Sequence, residues 1–130
     1  MEKKPDLNEL TRRERQIMEI VYQLGSAAAV DVMKHLPGKP VNATVRTMLT
    51  VMEEKGFLRH EREKGRYIYS PTIPLNSARK TMLENMLETF FKGAEAAAVI
   101  SILKKKEADL TEEDKRKILD LIEESRKGGR

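Results

Sequence analysis

The hydrophobic period of the sequence changes once, just after Gly56, and this change constrains the fold more than any other feature. Before Gly56, apolar residues recur at helical spacing. Residues 57–62 and 67–70 instead alternate as strands do, and residues 63–66, which include Gly65, form a turn between them. The pattern predicts a helical region followed by one small β-hairpin.

Three short helices are predicted before the hairpin. The first begins at Thr11, which forms a capping box with Glu14. The second covers residues 26–36, and the third runs from Asn42, a residue type favoured as an N-cap, to Gly56. Three helices and a hairpin in this order make a winged helix-turn-helix domain, which we assign to residues 1–74.

Residues 75–130 are predicted to be entirely helical, with one apolar stripe on each of three helices. The stripes are too thin to form a separate core, so we expect this part to be a dimerisation domain packed against a second copy of the chain. Docking back onto the winged domain is the alternative. The residues expected at the dimer interface are Leu83, Met86, Leu87, Phe90, Phe91, Val99, Ile100, Leu103, Ile118, Leu121 and Ile122.

Composition argues against several classes of protein. The chain has 130 residues and no cysteine, which excludes disulfides and thiolate metal sites. It has no apolar run long enough to span a membrane, and residues 1–10 lack the apolar segment of a secretory signal, so a cytoplasmic location is expected. His35 and His60 are the two histidines, and we expect both to be surface or packing residues. With no metal-ligand cluster and no phosphate-cradling glycine loop, we expect no enzyme activity, no metal and no cofactor.

The charge of residues 34–66 favours an anionic partner. This segment carries eight Lys and Arg against four Asp and Glu, a net charge of 8 − 4 = +4. A basic segment of this kind favours a polyanion such as DNA, although a solvated surface explains the charge alone equally well.

The third helix is predicted to have two different faces. An apolar stripe formed by Val45, Met48, Leu49 and Met52 has the spacing of a core-facing side. The opposite side carries short hydroxyl side chains and one arginine, which can approach a major groove and read base edges, whereas a merely solvated helix more often carries Glu and Lys. The residues expected to meet DNA on this helix are Ala43, Thr44, Arg46, Thr47 and Thr50.

Further cations are expected to contact the DNA backbone. Lys64 and Arg66 flank Gly65 at the tip of the hairpin, and Arg12 lies at the start of the first helix. Such contacts add salt-dependent affinity rather than sequence choice. The signal is weak by itself because turns are often charged.

Several runs of residues resemble one family of repressors. They read L-T-R-R-E at residues 10–14, N-A-T-V-R-T-M-L at 42–49, E-K-G-F-L at 54–58 and Y-I-Y-S-P at 67–71. Together with the helical C-terminal part, they are similar to the penicillinase-repressor family, also called BlaI/MecI/CopY, over residues 7–124.

The resemblance implies a homodimer that binds a palindromic operator in double-stranded DNA and blocks transcription, with the C-terminal helices as the dimer interface. It implies base or phosphate contacts at Thr44, Arg46 and Thr47 and at wing residues near Arg66. Position 43 is Ala here, where well-known members carry Lys, so that contact is absent.

The resemblance leaves the inducing signal open. β-Lactam-responsive members are inactivated by a protease at an Asn-Phe bond, and the corresponding residues 99–103 contain no such pair. Copper-responsive members carry a C-terminal cysteine motif, which this chain lacks. An inactivating protease and another inducer both stay open.

A different class of function is a winged helix that contacts other proteins inside a larger assembly. That function predicts an apolar or acidic outer face on the third helix rather than threonine and arginine.

Overall fold

The computed structural model describes residues 4–129 of the chain. Two short 3-10 helices accompany six α-helices and two strands within these residues. The elements are α1 (Arg12–Leu24), α2 (Ala29–His35), α3 (Asn42–Glu54), β1 (Leu58–Glu63), β2 (Arg66–Pro71), α4 (Leu75–Phe90), α5 (Glu95–Lys106) and α6 (Glu112–Gly129), with the 3-10 helices at Leu7–Glu9 and Glu107–Asp109. The predicted class, mainly α with one small hairpin in a winged-helix order, is confirmed.

The chain divides into two compact units, and the division falls within α4. The first unit ends at Met86 and the second begins at Leu87. The domain boundary expected from the sequence, between residues 74 and 75, coincides with the start of α4 at Leu75 and stays a prediction.

The core of the first unit is built from one side of α1, α2 and α3 and from the inner face of the hairpin. On α3, Val45, Leu49 and Met52 are fully buried, and Met48 is partly buried against the same cluster. The predicted apolar stripe is therefore confirmed. Burying each such side chain contributes about 1.5–3 kcal/mol of transfer free energy, so this stripe holds α3 in one orientation.

Two helix starts differ from the sequence prediction. Residues 26–36 do not form one helix, because Ala27 pairs with Tyr69 as an isolated β-bridge, with N–H to O distances of 2.9 and 2.8 Å. Asn42 is not an N-cap but the first residue of α3. Val41 takes the cap position with extended backbone, and its side chain makes no capping hydrogen bond.

The hairpin is an antiparallel pair joined by a two-residue turn. The register places Arg62 opposite Tyr67 and Glu63 opposite Arg66. Lys64 and Gly65 both have positive φ, 51° and 79°, as a type I′ turn requires. The predicted hairpin is confirmed, with each strand one or two residues away from its expected bounds.

An ion pair joins the start of α1 to the end of α3. Glu14 and Thr11 form the predicted capping box, with N–H to oxygen distances of 3.0 and 3.1 Å. The second carboxylate oxygen of Glu14 accepts a hydrogen bond from Lys55 Nζ at 2.7 Å. Burial alone would raise the pKa of Glu14, but the bonds from Lys55 and Thr11 outweigh it and lower that pKa. The charged form of Glu14 is therefore stabilised by the fold.

In the second unit, very little is buried. Thr111 and Asp114 cap α6 reciprocally, as the Asp114 amide donates to Thr111 Oγ1 at 3.0 Å. Among residues 87–128, however, only Ala98 is buried. In the described range 4–129, no helix is long and apolar enough to cross a membrane.

We predict that Glu14→Gln makes stability less dependent on pH. Glutamine can keep the capping box but not the charge, so the loss near neutral pH is about 1 kcal/mol, kept small because Lys55 is half exposed. A lowered pKa contributes stability above the unfolded value of about 4.3 and loses it as pH falls through the folded value. Urea unfolding at a series of pH values should show the gap between wild type and variant closing in acid. The matched control is Glu19→Gln, on the exposed side of α1, and a gap that stays constant with pH would contradict the prediction.

Candidate nucleic-acid interface

The face of α3 opposite the core is open to solvent. Burial of Val45, Leu49 and Met52 turns the other side of the helix outward. All five residues expected to meet DNA on this helix are exposed: Ala43, Thr44, Arg46, Thr47 and Thr50. This face is a continuous strip of small and hydroxyl side chains around one arginine, and none of these five is acidic or large and apolar.

Two of the threonines direct their hydroxyl hydrogen back to the helix. Thr47 Oγ1 donates to the carbonyl of Ala43 at 3.1 Å, and Thr50 Oγ1 donates to that of Arg46 at 3.0 Å. A hydroxyl whose hydrogen is already donated keeps its acceptor lone pairs. Toward a base edge, Thr47 therefore offers an acceptor and a methyl group rather than a donor.

A groove of about 430 Å³ lies between α3 and the hairpin. It brings together Arg46 and Thr50 from α3 and Arg66 from β2, three of the residues predicted from the sequence. Arg12 and Lys64 are not among its lining residues. Its lining contains no Asp or Glu in the described part of the chain, so the groove is cationic.

Sequence reasoning missed three residues of this groove: Asn42, Arg62 and Tyr67. Asn42 lies there because it is the first residue of α3 rather than its cap. Arg62 and Tyr67 are a cross-strand pair, and their position follows from strand alternation, because Leu58, which shares a face of β1 with Arg62, is buried. That alternation was the available signal.

A chain of contacts links the far end of α3 to the hairpin. His60 Nδ1 lies 2.7 and 2.8 Å from the two carboxylate oxygens of Glu53. The His60 ring stacks on Tyr67 with centroids 4.1 Å apart, and the Arg62 guanidinium lies 5.5 Å from the centre of that Tyr67 ring. His60 is thus a packing residue with satisfied contacts, as expected.

Tyr69 forms the floor of the same face of the hairpin. It is buried, and both burial and the nearby Glu53 carboxylate raise the pKa of Tyr69 above its ordinary value. The positive charge of Arg46 acts in the opposite direction and lowers that pKa. Arg46 and Tyr69 are thus close enough to interact electrostatically across the groove.

The cations of the first unit differ in their engagement. Arg13 Nη1 donates to the carbonyl of Pro37 at 2.9 Å and to Gln16 at 3.0 Å, which ties α1 to the loop after α2. Arg46, Arg62 and Arg66 have no carboxylate within salt-bridge distance among residues 4–129. These three guanidinium groups are available for an anionic partner.

A comparison with protein families identifies what kind of protein carries this site. The family model described as "Penicillinase repressor" matches residues 10–124. The chain belongs to this family. The resemblance found in the sequence is therefore confirmed.

Curated relatives agree with the family. An uncharacterised 16.5 kDa protein from the ptsI 3′ region of Latilactobacillus sakei is 32% identical over 98 residues, which cover 72% of this chain and 67% of the relative. The penicillinase repressor of Bacillus licheniformis is 24% identical over 126 residues, covering 95% of this chain and 94% of the relative. Since the family consists of DNA-binding transcriptional regulators, the chain is a DNA-binding repressor and not an enzyme.

Two solved structures are also similar. The solution structure of the DNA-binding domain of the repressor BlaI aligns with a TM-score of 0.49 and 26% identity, covering 59% of this chain and 93% of that domain. A structure of Bordetella bronchiseptica BpsR, whose DNA binding is regulated by 6-hydroxynicotinic acid, aligns with a TM-score of 0.45 and 19% identity, covering 75% of this chain and 76% of that one.

We predict that Thr47→Val weakens binding to a cognate DNA site. Valine keeps the methyl group and the helix-compatible shape but removes the acceptor, so affinity should fall by roughly 2- to 12-fold per half-site, or about 0.5–1.5 kcal/mol. Fluorescence anisotropy measures this directly. Thr47→Ser, which keeps the hydroxyl and removes the methyl, is the comparison. If serine weakens binding and valine does not, the methyl group alone is read and the prediction is wrong.

Proposed function

We propose that the protein is a homodimer that binds a palindromic operator and blocks transcription, with α3 of each protomer in the major groove. The observation that carries the proposal is the outward face of α3, where Thr44, Arg46 and Thr47 are exposed on a helix whose other face is locked in the core. Helices of this type dock N-terminus first, which keeps Glu53 and Glu54 away from the phosphates. Because the ligand is DNA, we propose that the protein acts in the cytoplasm.

The remaining contacts in this proposal are to the DNA backbone. Arg66 lines the groove beside α3, Lys64 lies at the exposed tip of the hairpin, and Arg12 is exposed at the start of α1. Charged contacts of this kind position a protein on the duplex without specifying sequence.

Support for a dimer comes from the apolar residues that one chain leaves exposed. On α4, Phe90 has 76% of its surface exposed, and on α6 Leu121 has 67% exposed. Seven of the eleven expected interface residues are exposed, namely Leu83, Met86, Phe90, Val99, Ile100, Leu121 and Ile122. The other four, Leu87, Phe91, Leu103 and Ile118, are half-buried. Exposed apolar surface on this scale is characteristic of a protein–protein interface.

Two apolar residues extend the expected interface. Ile102 on α5 is 56% exposed and Leu119 on α6 is 63% exposed. Neither belongs to the helical stripes recognised in the sequence. We include both in the proposed dimer surface.

We predict that Arg46→Ala reduces operator binding much more than binding to unrelated DNA. Removing a bidentate arginine–guanine contact costs about 1–3 kcal/mol of discrimination, a 5- to 150-fold drop in the ratio of the two affinities per half-site. Anisotropy titrations of operator and scrambled duplexes at two salt concentrations measure the ratio. Arg116→Ala, an exposed arginine on α6, is the control for loss of one positive charge.

The same titration tests the proposal as a whole. Equal losses on both duplexes would show that Arg46 contacts phosphate instead of a base. A wild-type protein that binds no duplex at low salt, or binds all duplexes alike, would favour the winged helix as a protein-interaction module.

We predict that Phe90→Asp produces monomers. The side chain is exposed in a single chain, so the substitution should leave the protomer folded while placing a charge in the apolar interface. Light scattering should show the mass halved, and operator affinity should fall by about 100- to 10,000-fold because the second half-site is no longer linked. Asn85→Asp, on the opposite side of α4, is the matched control. A monomeric wild type would refute the dimer and favour docking of the helices within one chain.

A further inference from the structure

We infer that Arg62 is a phosphate-binding residue of the wing, held in place by Tyr67 and facing Arg46 across the groove. The inference rests on the proposed function, since it needs DNA seated on α3. It adds a division of roles to that function, in which Arg46 reads a base edge and Arg62 grips the backbone of the flanking strand.

The register of the hairpin places Arg62 on the groove side. Side chains of β1 alternate between two faces, and Leu58, His60 and Arg62 share one of them. Leu58 is buried in the core and His60 contacts Glu53 of α3, so this face of β1 is directed toward α3. Arg59 is exposed on the other face of the same strand.

Tyr67 restrains the Arg62 side chain. The guanidinium lies 5.5 Å from the ring centre, within the range of a cation–π contact. The ring in turn stacks on His60, whose Nδ1 is 2.7 Å from a Glu53 oxygen. An exposed arginine ordinarily loses side-chain entropy when it binds, and a guanidinium already held against a ring loses less.

The charge around Arg62 favours phosphate as its ligand. The described lining of the groove contains three arginines and no carboxylate, and no described residue forms an ion pair with Arg62. A guanidinium fork matches phosphate oxygens bidentately. Because Arg62 projects from the hairpin rather than from the helix in the major groove, its reach is to the backbone at the groove edge and not to the bases.

The experiment is a salt titration of Arg62→Ala beside wild type, on operator and scrambled duplexes. Losing one phosphate contact lowers the slope of log K against log salt by about 0.9, or about 1.8 for a dimer. We expect that change, together with equal fold losses on the two duplexes. Arg59→Ala removes the same charge from the opposite face of β1 and is expected to leave the slope at its wild-type value.

Two tyrosine variants test the positioning role. Tyr67→Leu removes the ring and should reproduce part of the Arg62→Ala effect, whereas Tyr67→Phe keeps the ring and should bind as wild type does. The double variant Arg62→Ala/Tyr67→Leu should bind no more weakly than Arg62→Ala alone, since the ring acts through the guanidinium. Thermal melts confirm that each variant is folded.

Three results would overturn the inference. An unchanged salt slope in Arg62→Ala, or a slope matched by Arg59→Ala, would show that Arg62 contacts no phosphate. A loss confined to the operator would make Arg62 a base-reading residue. Wild type that binds no duplex at all would remove the proposed function, and the inference with it, which the other two results would not.

Discussion

Three side chains on one face of α3, Val45, Leu49 and Met52, are completely buried, and the rest of the first unit depends on this packing. A helix fixed along one side has no freedom to rotate, so the identity of its outward residues follows from the identity of its inward ones. The hairpin is fixed against the same helix through Leu58 and Tyr69. The arginines of the helix and of the wing are therefore held in a defined relation before any DNA is present, which lowers the entropy lost on binding.

Local signals were sufficient to predict most of this architecture. The Thr11 capping box, the period of the α3 stripe and the alternation around Gly65 each depend on neighbours a few residues away, and each was correct. The predictions failed where a distant partner decides the backbone. Ala27 pairs with Tyr69, 42 positions further along the chain, and this bridge shortens α2. Spacing along the sequence contains no information about such a pairing.

The candidate site shows the same division. The exposed residues of α3 could be named from its helical period, because one face implies the other. Arg62 could not be assigned a role, since its place in the groove depends on the register of the hairpin and on where the hairpin packs. Charge counting included Arg62 among eight cations of residues 34–66 without distinguishing it from Arg59, which lies on the opposite face of the same strand.

The length of the hairpin is set by its turn. Lys64 and Gly65 both adopt positive φ, and this two-residue connection fixes which residues of the strands lie opposite each other. One inserted residue would shift the register by one position and move a whole set of side chains to the other face, because strand side chains alternate with a period of two. Arg62 and Tyr67 would then be separated by the sheet. Proteins built on this plan can vary the charge at the tip of the wing freely, but a single insertion or deletion there would cost them the arginine that the tyrosine holds.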